Sequence, residues 1–319
     1  MIIVIFVFLG GGAMDKDLLL LMFCNVVNEV FGEDVKYVKN KTRYMKLFIL
    51  TMDKLGEMLG YNEISIAYGW YKFGIFSFEA HDMFSRDIYY IDPIAPHLKI
   101  PQEFEDIQKT MKHIVKNLAG KFKMKWDDFD KFIHEELPDG EIKEFYRIVK
   151  KVNDAFDLLI SDKITLSSIF NLGTSKVDAL RKAIEHLENS IKFKYMAEDR
   201  EEALYYYTDS LMLFLDNYND NATCKEILKD MRKVFEDDIL SIISPYPETL
   251  RGNEKKRKVE LERCLEVINS KIEMLYNKID SIENRHVEYF PTHDDLVDDI
   301  RKIEISEEVN SRILNILHK

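Results

Sequence analysis

The stretch Tyr68-Gly69-Trp70-Tyr71-Lys72-Phe73-Gly74-Ile75-Phe76-Ser77-Phe78-Glu79 interrupts a chain whose other segments read mostly as helix. The rest of the fold has to be arranged around it. Glycine lets the backbone turn tightly, and the aromatics beside it pack or present flat faces. Ser65–Trp70 reads as a short strand and Tyr71–Gly74 as a turn. Ser77 reads as the N-cap of a helix reaching about Phe84.

Upstream, Leu18, Leu21, Met22, Val26 and Val30 recur at helical spacing, which predicts a helix from Met14 to about Val30, closed by Phe31-Gly32. From Lys36 to Lys46 there are five cations and no acid. Asn40 or Thr42 is placed to cap the next helix, which carries Met45, Phe48, Ile49, Met52 and Leu55 and stops at Gly60. Cations at a helix start oppose the macrodipole, so this cluster is not there to favour the helix. It reads either as a solvated helix entry or as a contact for phosphate or an acidic partner.

Downstream, Asp87–Ile91 is a second strand candidate, and Pro93, Pro96 and Pro101 punctuate the exit from the unit. Helices are then expected over 102–119, 126–136, 140–160, 176–194, 199–217, 222–243, 253–286 and 306–318. The clearest apolar seam is Leu261, Leu265, Ile268, Ile272, Leu275, Ile279 and Ile282, at heptad spacing. It suits a helix of an internal bundle, or a homodimer through residues 261–282. The expected fold is mainly α. A winged-helix-like α+β domain over 14–100 precedes a helical bundle over 101–319 with a short coiled-coil segment. At 319 residues and roughly 150 residues per domain, two domains are expected.

Residues 1–9 are apolar, and Gly10-Gly11-Gly12 follows. As a helix, the uncharged run up to Met14 spans about 21 Å, short of a hydrocarbon core of about 30 Å. The run also lacks the positive flank of a signal peptide. Residues 1–13 are expected to be an over-extended start, with an edge strand over 2–8 or a membrane anchor as alternatives. Cys24, Cys224 and Cys264 are far apart on apolar helical faces, which fits buried thiols in a reducing cytoplasm. A net charge of −12 disfavours general coating of nucleic acid but leaves room for a local basic patch.

Motif chemistry is sparse. No phosphate-binding glycine loop, HExxH, GxSxG or EF-hand loop occurs. Arg181 and His186 have the spacing of a HEPN-type ribonuclease motif on an otherwise ordinary amphipathic helix. His286, Glu288, His293, Asp294 and Asp295 could ligate a metal, although Thr292 as an N-cap with acids in the first turn accounts for the C-terminal part more simply. No cofactor, metal or catalytic set is expected.

A helix followed by an aromatic-glycine turn resembles the Panacea-type antitoxin domain and related archaeal winged-helix-like proteins. The residues that carry the resemblance are Thr42, Arg43, Lys46, Leu47 and Leu50, then Trp70-Tyr71-Lys72-Phe73-Gly74-Ile75-Phe76-Ser77. Ile75 stands where that pattern usually has proline, and Phe73 where tyrosine is common. The resemblance implies a domain that acts through macromolecular contacts, linked to toxin neutralisation and transcriptional control. It says nothing about residues 101–319. The resulting expectation is a non-enzymatic cytoplasmic binder, either a DNA-linked regulator or an antitoxin-like binder of a protein partner. Lys41, Arg43, Lys46 and Lys72 would contact phosphate or an acidic surface, and Tyr71 would stack beside them. The alternatives are a helical protein-interaction scaffold and a ribonuclease using Arg181 and His186.

Overall fold

The computed structural model describes residues 16–38, 40–60, 64, 66–85, 102–161 and 175–290. The strand expected over 87–91, the three prolines, residues 1–13, the helix over 306–318 and His293, Asp294 and Asp295 all lie outside these residues. The described chain is mainly helical with one two-stranded sheet. It forms two compact units, one built from residues up to Tyr146 together with Ser244–Val267, the other from Arg147–Ile243 and the residues from Ile268 on. The boundary expected at 100/101 lies outside the described residues.

In the first unit, α1 (Lys16–Phe31), a short α2 (Val35–Val38) and α3 (Lys41–Leu59) lead to β1 (Gly69–Tyr71), β2 (Gly74–Phe76) and α4 (Phe78–Ser85). Then follow α5 (Glu105–Phe122) and α6 (Trp126–Lys131), which runs on as a π turn, Phe132–Glu136. The periodic positions foreseen in α1 point inward: Leu18, Leu21, Met22 and Val26 are buried. The centre is an edge-to-face aromatic network, with Phe23 5.3 Å from Tyr44 and 5.0 Å from Phe48, and Phe48 5.2 Å from Phe84. Helix α3 is the core helix, with 12 of its 19 residues buried. Its start is capped as foreseen, Asn40 Oδ1 accepting from Thr42 N at 2.9 Å.

Helix α7 (Gly140–Ile160) begins in the first unit and continues into the second. There α8 (Lys176–Ser190), α9 (Ala197–Asp216) and α10 (Ala222–Val234) follow, α10 passing through a π turn (Phe235–Ile239) into a single turn, α11 (Leu240–Ile242). Arg200 is fully buried in this unit; its Nε donates to Ile242 O at 2.7 Å and its guanidinium lies 4.3 Å from the Phe193 ring centre. The chain returns to the first unit for α12 (Tyr246–Thr249) and enters α13 (Glu254–Arg285), which belongs in turn to both units. Along the heptad seam Ile268, Leu275, Ile279 and Ile282 are buried, and Leu261, Leu265 and Ile272 are partly covered. That seam is therefore largely internal to the chain rather than an open strip for a second copy. All three cysteines are buried and free, as their positions predicted. No helix among the described residues is long and apolar enough to cross a membrane.

Candidate interaction site: a braced hairpin

The aromatic-glycine stretch forms a hairpin rather than a strand and a turn. Pairing runs Gly69↔Phe76, Trp70↔Ile75 and Tyr71↔Gly74, which leaves Lys72 and Phe73 as a two-residue tip. Both glycines are required. A Cβ on Gly69 would stand 2.8 Å from Tyr246 O, and Gly74 has φ +90° with Ile133 Cγ2 only 2.3 Å from where its Cβ would be. Gly74→Ala combines a left-handed backbone with a steric clash, so it is expected to cost about 2–4 kcal/mol. Urea unfolding of the purified variant measures this directly, and an unchanged midpoint would refute the geometry.

Two short strands alone are marginal in water; here side chains from distant segments hold five of the hairpin's backbone groups. Tyr146 Oη donates to Tyr71 O at 2.5 Å. Trp70 N donates to Thr249 Oγ1 at 2.9 Å, and Ser244 Oγ donates to Trp70 O at 3.3 Å. Tyr68 exchanges two backbone hydrogen bonds with Arg251. Beneath the tip, Lys46 Nζ donates to Phe73 O and, at 3.1 Å, to Ile75 O. Burial draws the Lys46 pKa down to about 7, against the pull of Asp130 in the other direction. Asp130 also stands 3.2 Å from His134 Nδ1.

The exit from β2 is held as firmly. Ser77 caps α4 as foreseen, accepting from Ala80 N at 3.2 Å. A second cap comes from far along the chain: Glu260 of α13 accepts from Phe78 N at 2.9 Å, Glu79 N at 2.7 Å and Ser77 Oγ at 3.3 Å. Tyr246 Oη completes the set, donating at 2.5 Å to the Oε2 that also accepts from Phe78 N. Burial nonetheless raises the Glu260 pKa, with these hydrogen bonds opposing it.

The five expected contact residues do not form one surface. Arg43 is 5 % exposed; its Nη1 donates to Phe122 O at 3.1 Å and Met124 O at 2.7 Å, while its guanidinium lies over Phe129 at 4.5 Å. It thus serves the carbonyl end of α5, where a cation is favoured. Lys46, 3 % exposed, anchors the hairpin. In this fold neither side chain reaches a phosphate on an outside partner. Lys41 is exposed and donates to Ser85 Oγ at 3.0 Å. Tyr71 is half-buried, its ring 5.4 Å from Phe76 and 6.0 Å from Tyr246. Lys72 sits at the tip with Nζ 5.0 Å from the Phe73 ring centre, and Phe73 itself is 60 % exposed.

Phe73, the most outward group of the hairpin, was not among the expected contacts. Its signal in the sequence was an aromatic in a turn position. A second missed feature is Lys255-Lys256-Arg257-Lys258, four consecutive cations opening α13, of which Lys255, Arg257 and Lys258 are exposed. The ribonuclease pair is divided between partners: Arg181 binds Asp216 at 2.5 Å, and His186 Nδ1 lies 3.4 Å from Ser190 Oγ. Among the described residues no group of three or more His, Cys, Asp or Glu side chains could hold a metal. Comparisons with protein-family models, with curated proteins and with solved structures gave no match.

Proposed function

We propose that the first unit is a non-enzymatic binding module that applies the Lys72–Phe73 tip to an acidic protein surface, in the manner of an antitoxin that covers its target. One observation carries this reading. A large aromatic is held out in water on a tip fixed from beneath by a buried lysine and a buried tyrosine. Rigid aromatic anchors lose little entropy on binding and dominate interface energetics, and a neighbouring cation selects an acidic partner. Burying Lys46 is costly, and that cost is spent on holding the carbonyls of the tip.

The test is co-purification from the native host. The double variant Lys72→Glu/Phe73→Ala is expected to lose a partner that the unaltered chain retains, while its unfolding midpoint, measured alongside, shows that the fold is kept. Retention of every partner by this variant would refute the assignment.

A second reading, a DNA-linked regulator, is favoured by the exposed cations at 255–258. Helix α3 is too deeply buried to lie in a groove, so phosphate contacts would come from α13. Fluorescence anisotropy of a DNA duplex across a salt series is expected to show a log–log slope of about −3 for three phosphate contacts. Lys255→Ala/Arg257→Ala/Lys258→Ala should abolish that slope. Absence of binding at low salt would remove this reading and leave the hairpin reading untouched.

A further inference from the structure

In the second unit, the outer face formed by α9 and the later turns of α13 is aromatic and acidic at once. Along α9, Glu198, Glu202, Tyr205 and Asp209 recur at helical spacing and all four are exposed, Tyr205 at 49 %. Beside them Tyr206 of α9 and Tyr276 of α13 are half-buried, their rings edge to face at 4.8 Å. Tyr206 Oη donates to Asp280 Oδ1 at 2.5 Å, which ties the two helices together at this face. We propose that the face docks an arginine-rich segment of a partner protein. The proposal concerns the second unit alone and does not rest on the reading of the hairpin.

The sign of the partner follows from where the unit's own cations go. Arg200, the one cation of α9, is buried and donates from Nε to Ile242 O at 2.7 Å. On α13, the cations from Ile268 onward stand on the side of the helix away from Tyr276. Lys271 and Lys278 bind Asp238, and Arg285 binds Asp230. The carboxylates of Asp199, Glu202, Asp209 and Glu273, all exposed, pair with no described cation. The tyrosines lie in the field these acids leave. Burial first, then the carboxylates of Glu202 and Asp199, raises the Tyr276 pKa; burial and then Asp280 raises that of Tyr206.

Exposed acids alone would be a solvated surface. Here they frame aromatic rings, and that combination fits one cation better than the other. A guanidinium stacks on a ring while its N–H groups reach carboxylates at the rim; an ammonium is more strongly hydrated and gains less from the ring. The face therefore selects arginine over lysine rather than merely attracting positive charge. A second copy of this chain, through Lys255-Lys256-Arg257-Lys258, would bring one arginine among four cations and suits the rings less well.

Fluorescence anisotropy of labelled octa-arginine and octa-lysine, each titrated with the full chain at physiological ionic strength, tests the proposal. Octa-arginine is expected to bind saturably and about tenfold more tightly than octa-lysine. Tyr205→Ser/Tyr276→Ser should remove that preference, whereas Tyr276→Phe, which keeps the ring, should retain it. Glu202→Gln/Asp209→Asn should weaken both peptides. Circular dichroism checks each fold, and Tyr205→Ser alone, at an exposed position, should already reduce the preference if the double variant does not fold. Equal affinity for the two peptides (general electrostatic attraction only) would overturn the proposal, as would a preference that survives loss of the rings. So would a dimer formed without peptide and dissolved by Tyr205→Ser, which would give the face to a second copy.

Discussion

Replacing Glu260 by alanine is expected to destabilise the first unit by about 3–5 kcal/mol, the range seen when a buried charged acceptor is removed from its donors. The substitution strips two backbone amides at the start of α4, the Ser77 hydroxyl and the Tyr246 hydroxyl of their acceptor at once. Each buried donor left unpaired costs about 1–3 kcal/mol, and a compact site admits little water to replace the carboxylate. Glu260→Gln keeps the volume and one acceptor oxygen, so its loss should be about half as large. Urea unfolding followed by tryptophan emission measures both, since Trp70 lies in β1 beside the affected segment. An alanine variant within about 0.5 kcal/mol of the parent, the range of ordinary surface substitutions, would mean that Glu260 does not hold α4.

Stability should also rise with pH above neutrality, and Lys46 is the cause. Its pKa falls to about 7 in the folded chain against 10.5 as the ordinary value. Between these values the unfolded state binds more protons than the folded state, so unfolding becomes less favourable as pH rises, by up to about 1.4 kcal/mol per pH unit. Below pH 7 the full penalty applies, about 5 kcal/mol at a depression of this size. Near pH 10 the trend reverses. Burial raises the pKa values of Tyr146, Tyr207 and Tyr246 above the ordinary tyrosine value, so the folded state then holds the extra protons. Lys46→Met removes the titrating group. The difference between parent and variant isolates its contribution from all others: the parent should gain on the variant from pH 7 to 9.5. Parallel curves would show that burial does not lower the Lys46 pKa.

The regular helices were legible because their apolar positions repeat; 140–160, 176–190 and 254–285 fall within a few residues of where periodicity places them. The caps Asn40 and Ser77 were legible for a similar reason, being local chemistry. The second strand was not, because Gly74-Ile75-Phe76 is too short to show alternation. The roles of Arg43 and Lys46 were hidden for a different reason. A cation near a helix start reads as solvated, and the carbonyls that draw these two inward belong to residues 79 and 27 positions away, Phe122 and Phe73. Glu260 was masked by its setting, directly after five residues of which four are cations. The hairpin is thus built by long-range contacts that leave no local trace, apart from the two glycines that make room for them.

A photo-crosslinking residue at position 73, compared with one at position 58, tests the hairpin reading most directly, because Met58 is as exposed as Phe73 (59 % against 60 %) but lies on α3 away from the tip. Irradiation in the native host is expected to give one discrete adduct with an acidic protein from position 73 and none from position 58. No adduct at 73, or the same adducts from both positions, would contradict the assignment of the tip as the binding surface.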